Sequence, residues 1–334
     1  MGDGSDRCRR RGHPDRGRRT AVTTNAETTR VKAWLIAARP QTLPAALAPV
    51  AVGTGLAYHD GYLAILPALV ALLGATLIQI GTNFANDYYD AVQGADTEAR
   101  EGFTRVTAGG LIPPGQVKAG MYLTFALAIL SGTYLVYVGG VPILVIGLLS
   151  VLSGIAYTGG PYPLGYHGLG DVFVFVFFGL VAVTGTYYVQ AVTYLAEPLT
   201  TTIPPGTVPL AAVVASLPVA AISTNVLVVN NVRDKEEDAT TGKRTLAVRF
   251  GYGFARAEYV GLLLLAYAVP VYFWLRPDFG ATVLLPLVTM PIAGRVALTV
   301  LTETKGEKLN PALEDTGKLL AGYAVLFALG VALA

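Results

Sequence analysis

The chain has 334 residues, 53% of them hydrophobic and only 14% charged, with a mean hydropathy of +0.53. That balance is more apolar than a soluble domain carries and predicts an all-α, polytopic membrane protein. The single cysteine, Cys8, excludes an internal disulfide and a cysteine-cluster metal site, and a net charge of +2 with its basic residues spread along the loops excludes a folded nucleic-acid patch.

Residues 1–30, with RCRRRGHPDRGRR, lack an apolar core and so do not read as a secretory signal. They are expected to form a disordered Arg-rich tail, which either attracts anionic lipid or simply follows the positive-inside bias. Residues 31–334 are expected to form one transmembrane domain. Its apolar runs, each near the length needed to cross roughly 30 Å of hydrocarbon, predict nine spans: 43–59, 63–84, 119–138, 141–158, 171–192, 208–230, 257–275, 279–301 and 317–334.

Counting Lys and Arg between these spans predicts their orientation. The segment to Arg39 carries 10, and the loops 85–118, 231–256 and 302–316 carry 3, 6 and 2, whereas the loops of the other side hold only Arg276. The bias puts the N-terminus and the basic loops in the cytoplasm.

At the inner ends of the second and sixth spans stand NFANDYYD, Asn83 to Asp90, and NNVRDKEED, Asn230 to Asp238. Residues three or four apart share a helix face. Asn83, Asn86, Asp87 and Asp90 therefore form one stripe, and Asn231, Asp234 and Asp238 another. The two even-numbered spans run the same way, so both clusters end on the cytoplasmic side, four helices apart. That offset suggests a pseudo-repeat of two four-helix halves plus a ninth helix.

Facing carboxylates are poorly tolerated without positive charge between them. Mg²⁺ fits, because it takes oxygen ligands and bridges one or two carboxylates to substrate phosphates. Two ions, one per cluster, and a diphosphate substrate are expected. Arg105 after the first cluster, and Arg233, Lys235, Lys243 and Arg244 flanking or following the second, are candidates to hold diphosphate oxygens. Each also reads as an ordinary inner-loop charge. An Asp-rich helix C-terminus is on the wrong end of the dipole for capping, which argues against a merely structural role for the clusters.

The pattern NDxxD, followed by Asp234, Asp238, Gly242, Lys243 and Thr245 in the arrangement DxxxDxxxGKxT, resembles the UbiA superfamily of intramembrane prenyltransferases from Arg39 onward. YTGGPYPLGYHGLGD at Tyr157 to Asp171, RPQTLPAALAPVAVG at Arg39 and NPALEDTGKLLAGY at Asn310 are similar to its branch that prenylates 1,4-dihydroxy-2-naphthoate in menaquinone biosynthesis. The resemblance implies helices around a central cavity with a cytoplasmic cap made in part by loops 97–118 and 157–170, which would bring Tyr157, Tyr162, Tyr166 and His167 near the reaction centre. It also implies an isoprenoid diphosphate and an aromatic acceptor as substrates, with membrane lipid supplying the former and no protein partner inferred.

By the same resemblance, Asn86, Asp87, Asp90, Asp234 and Asp238 are expected to bind Mg²⁺. Asp87, Asp90, Asp234, Asp238 and Tyr157 are expected to serve catalysis, and Asn83, Asn86, Asn231, Arg105, Lys243, Arg244, Tyr162 and His167 to bind substrate. The chain departs from the superfamily at Gly94, where a third aspartate is usual, which leaves Asp96 or Asp87 to take its place. His167 reads either as a base or as an exposed loop residue, and Asp171 either as a helix N-terminal charge or as part of the acceptor site. Transfer to another aromatic or lipid acceptor is the nearest alternative. A cation-coupled transporter is a distant one that leaves Gly242 to Thr245 unexplained, and a CDP-alcohol enzyme lacks its DGxxAR signature here.

Overall fold

The computed structural model describes residues 29–94 and 105–334, and every regular element among them is helical. Most of the Arg-rich tail, Cys8, Asp96 and the first part of the 97–118 loop lie outside the described residues.

A short helix, α1 (Arg30–Ala38), starts at Thr29, whose hydroxyl accepts the Lys32 N–H at 3.4 Å. A 3₁₀ turn (Pro40–Thr42) bends the chain by 47° into α2 (Pro44–His59). There follow α3 (Ile65–Val92), α4 (Pro114–Ala156) and a span Gly170–Leu195 built from α5 (Gly170–Val174), a π-helical stretch (Phe175–Val181) and α6 (Ala182–Leu195). The C-terminal half contains α7 (Leu210–Thr240), α8 (Leu246–Trp274), a 3₁₀ segment (Ala281–Thr289) leading into α9 (Met290–Thr302), and α10 (Gly306–Ala332).

By length and apolarity the described residues carry seven helices able to cross a membrane, or eight if the bent pair α1–α2 is one span. The expectation of nine differs in two places. It counted α2, only 16 residues long, as a span in its own right, where the structure joins it to α1 as a bent pair, and it counted separately the two halves of α4, which a break inside that element does divide. The interruption is Gly140, at φ 66° and ψ −153°, a backbone state that only glycine adopts without strain. A Cβ there would lie 1.8 Å from the Thr200 carbonyl oxygen, which accepts the Val141 N–H at 2.9 Å. The two halves of α4 fold back on each other. A Cβ at Gly154 would touch both Thr82 Oγ1 and the Phe125 ring, and Phe125 belongs to the other half.

The centre of the bundle is α7. In its most apolar stretch 72% of residues are buried inside the protein, against 22% in α4, so α7 is wrapped by other helices while α4 faces lipid. It packs along α8, and α10 packs along both α2 and α7. Outward-facing leucines such as Leu130, Leu264 and Leu298 are left for the hydrocarbon.

One end of the bundle gathers aromatic residues. Tyr62 meets the rings of Tyr187 and Tyr194, and His59 stacks on Phe279 at 4.5 Å. Tyr58, Tyr137, Tyr194 and Trp274 are exposed at this end, as expected of a membrane–water interface. The opposite end carries the charges.

Candidate active site

At the charged end, α3 stops with Asp90 almost fully buried. Its carboxylate accepts Arg105 Nη2 at 2.8 Å and the Tyr166 hydroxyl at 2.8 Å, and Lys243 Nζ lies 3.7 Å away. Lys243 also stands 4.8 Å over the Tyr166 ring, a cation–π position. Elements 15, 76 and 153 residues further on therefore converge on one carboxylate. With Arg105 9% and Lys243 14% exposed, the Asp90 charge is balanced in a largely dry environment, where ion pairing is strong but costly to break.

The turn after α7 reaches this point because Gly242 takes φ 82°, and the Arg244 N–H donates to the Tyr166 carbonyl at 2.8 Å. Arg249 then donates to the carbonyls of Arg244 and His167, tying the 157–170 loop to the start of α8.

On α7 the second cluster forms its own network. Arg233 grips Asp234 with two parallel hydrogen bonds, 2.6 and 2.7 Å, and also donates to Asn230 on its own helix and to Asn310 on α10. This fork geometry suits a guanidinium better than an ammonium. Asp238, one turn beyond Asp234, is buried as well.

Tyr157 follows the C-terminus of α4. Desolvation first, then the carboxylates of Asp171, Asp90 and Asp238, push its hydroxyl above the ordinary phenol range, so it stays protonated and able to donate. Close approach is possible because Gly165 and Gly170 flank the ring; a Cβ on Gly170 would sit 2.9 Å from the hydroxyl oxygen.

Tyr157 also lines the wall of an apolar cavity of about 380 Å³. The cavity runs past Phe173 and Phe177, which stack at 5.6 Å, to Ile143 and Val189 near the aromatic end of the bundle. Among the described residues, its polar wall is made of threonines, serines, Gln79 and Tyr157.

The expected site residues are distributed unevenly in this arrangement. Asp90, Arg105 and Lys243 are in direct contact, and Tyr157 is electrostatically coupled to Asp90 and Asp238. Asn86 accepts the Thr158 hydroxyl at 2.9 Å. Asn83 is turned elsewhere: its amide donates to the Ala38 carbonyl and to Thr42, and its oxygen accepts from Gln79, leaving no end for substrate. Both oxygens of Asp87 accept backbone N–H groups, from Val106 at 3.1 Å and Thr107 at 3.0 Å. Asn231 donates to Asp171 at 3.3 Å. The Arg244 side chain is exposed, and its backbone N–H is the donor to Tyr166. Tyr162 and His167 stack on each other at 3.7 Å on the loop surface. Tyr166 and Arg233 carry much of the geometry, and Asn310 joins them through a contact with Arg233 that the sequence does not show.

Among the described residues no three His, Cys, Asp or Glu side chains converge closely enough to enclose a metal. The oxygens of Asn86, Asp90, Asp234 and Asp238 are hard donors spread over two helix ends. That fits a cation that retains waters and takes phosphate oxygens as further ligands, as Mg²⁺ does, and does not fit an all-protein cage.

The UbiA prenyltransferase family profile matches residues 46–332. The chain is 38% identical over 314 residues to 1,4-dihydroxy-2-naphthoate octaprenyltransferase of Escherichia coli (strain K12), covering 92% of this chain and 97% of that one. It is 38% identical over 295 residues to the protein of the same name in Mycobacterium tuberculosis, covering 88% and 95%. A solved UbiA homolog from Archaeoglobus fulgidus, bound to DMAPP and Mg²⁺, superposes with a TM-score of 0.56 at 17% identity, over 88% of this chain and 98% of that one, a likeness of fold.

Proposed function

The chain belongs to the UbiA prenyltransferase family, and we propose that it transfers a polyprenyl group from an isoprenoid diphosphate to 1,4-dihydroxy-2-naphthoate, releasing diphosphate and CO2 to give demethylmenaquinol, the reduced form of demethylmenaquinone. The observation that carries this reading is the gathering of Arg105, Tyr166 and Lys243, from three distant parts of the chain, on the buried carboxylate of Asp90, with Tyr157 on the wall of a long apolar cavity. The acceptor is supported by the relatives that share 38% identity over nearly their whole length.

Asn86 and Asp90 on one side, and Asp234 and Asp238 on the other, would hold Mg²⁺, with two ions proposed. When bound, the metal draws charge from the leaving diphosphate. Arg105 and Lys243, which now neutralise Asp90, have the donors to take diphosphate oxygens. The allylic C–O bond breaks with its electron pair leaving on diphosphate. Tyr157, Phe173 and Phe177 offer aromatic faces to the resulting allylic cation, and the apolar cavity keeps water from quenching it. The ring carbon that bears the carboxylate attacks, forming the new C–C bond. The carboxylate then departs as CO2, and its electron pair restores the aromatic ring. The cavity toward Ile143 and Val189 receives the prenyl chain.

The charged end is assigned to the cytoplasm, because the basic residues concentrate there.

The test is an assay of membranes holding the chain with a labelled isoprenoid diphosphate, Mg²⁺ and one acceptor at a time. Prenylated product and diphosphate are expected with 1,4-dihydroxy-2-naphthoate and not with 4-hydroxybenzoate. Equal turnover of both acceptors would reject the proposed specificity, and turnover of neither would reject the enzyme.

A further inference from the structure

We propose that Asp87 is a positioning residue whose carboxylate holds the turn carrying Arg105, and that it is not a metal ligand; the proposal rests on the functional reading above for what Arg105 does. Asp87 lies on the same helix as Asp90, three residues earlier, and is 1% exposed. Its two oxygens are occupied separately, Oδ2 by the Val106 N–H at 3.1 Å and Oδ1 by the Thr107 N–H at 3.0 Å. Two N–H groups from consecutive residues converging on one carboxylate form an anion-binding nest, and here the anion is part of the protein.

The turn so held is self-contained. The Arg105 carbonyl accepts the Gly109 N–H at 3.0 Å, the Thr107 carbonyl accepts Gly110 at 3.1 Å, and the Val106 carbonyl accepts both Leu111 and Ile112. Gly110 has φ 68°, and a Cβ at Gly109 would lie 2.8 Å from the Arg105 oxygen, so the turn tolerates little besides glycine at those positions. Val106 and Ile112 are buried against Phe84, Val117 and Met121, which fixes the other side of the turn in the space between α3 and α4. Arg105, the residue immediately before the nest, is thereby aimed at Asp90, where its Nη2 arrives at 2.8 Å.

The geometry divides the labour along one helix face. Asp90 meets the cations of the site, and Asp87, one turn back toward the membrane, meets backbone. A carboxylate that accepts two buried N–H groups is satisfied by them. Turning Asp87 to a metal would orphan two buried donors, each a substantial cost.

The experiment compares Asp87→Asn, Arg105→Ala, the double variant and Gly110→Val in membranes, together with a labelling reporter. Asn keeps the size of Asp87 but can accept at only one atom. Gly110→Val strains the turn without touching either carboxylate.

In Asp87→Asn the KM for the isoprenoid diphosphate is expected to rise about tenfold, as for loss of a charge-assisted hydrogen bond. The Mg²⁺ concentration for half-activation should stay within about twofold. Gly110→Val should reproduce both effects, and the double variant should be no worse than Arg105→Ala, because both substitutions remove the same function. With Cys8→Ser and Thr107→Cys as background, maleimide labelling in metal-free, substrate-free membranes should quicken about tenfold or more on adding Asp87→Asn, through local opening of the turn. A half-activation concentration raised about tenfold with labelling unchanged would make Asp87 a ligand and overturn the proposal, as would full additivity in the double variant. The labelling arm needs no turnover, so it tests the anchor even if the substrate assignment fails.

Discussion

Gly179 offers a sharp test of how the cavity wall is built. It lies in the π-helical stretch of the Gly170–Leu195 span, next to Phe177 and Phe178, which line the cavity. A Cβ on Gly179 would stand 2.1 Å from Ala220 Cβ, 2.4 Å from its Cα and 2.8 Å from its nitrogen. Ordinary carbon–carbon contact is about 3.5–4.0 Å. Gly179→Ala must therefore part the stretch from α7 by roughly 1.5 Å or bend it, and two of the three obstructing atoms are backbone that cannot rotate away. Overpacking of this kind costs about 1–3 kcal/mol, and the backbone obstruction puts this case at about 2–3. At about 2–4 °C per kcal/mol for a chain approaching this size, Tm should fall by roughly 4–12 °C. Thermal unfolding of the purified protein in detergent, followed by fluorescence, measures it. Ala220→Gly removes the nearest atom and should recover part of the loss in the double variant. A Gly179→Ala protein melting within about 1 °C of the parent would refute the reasoning.

Three other substitutions address the charges and the reversal of the chain. Asp90→Asn leaves Arg105 and Lys243 without their counter-charge. Prenyl transfer should drop by about a hundredfold or more and Tm should also fall, with Arg105→Gln restoring part of the Tm but none of the activity. Asp171→Asn should behave in the opposite way. Asp171 is 4% exposed, no cation pairs with it among the described residues, and its partner Asn231 can donate equally well to an amide oxygen. Its Tm should hold or rise by a few degrees, at about 1 kcal/mol of relieved desolvation, and a clear fall in a melting scan would contradict this. Gly140→Ala combines a left-handed backbone with the Thr200 oxygen 1.8 Å from the new Cβ. The yield of monodisperse protein by size-exclusion chromatography should collapse, and a normal yield would show that α4 does not need its break.

Much of the architecture is local information. A run of twenty apolar residues must satisfy its backbone within itself in lipid, so helices could be read over 63–84 and 208–230 without knowing any neighbour, although the helices run on past the apolar residues to Val92 and Thr240. The same is true of the shared face of Asn86 and Asp90, which the helical repeat dictates. Even the turn at Gly139 and Gly140 was visible as a glycine pair splitting 43 helical residues, about 65 Å of helix against roughly 30 Å of hydrocarbon.

The allocation of partners was not local. Asn83, Asp87 and Asp90 are equivalent in spacing, yet one bonds to Ala38 and Thr42, the next to the backbone of Val106 and Thr107, and the last to Arg105, Tyr166 and Lys243. Helical periodicity assigns a side chain its azimuth, and so determined which residues face the site. Which of them is consumed by structure depends on where loops from elsewhere in the chain bring unpaired N–H groups and cations. Those loop paths follow from the packing of Val106, Ile112 and Gly170 against distant helices, so only the assembled fold decided that Asp90 faces the cations while Asp87 holds the backbone that delivers one of them.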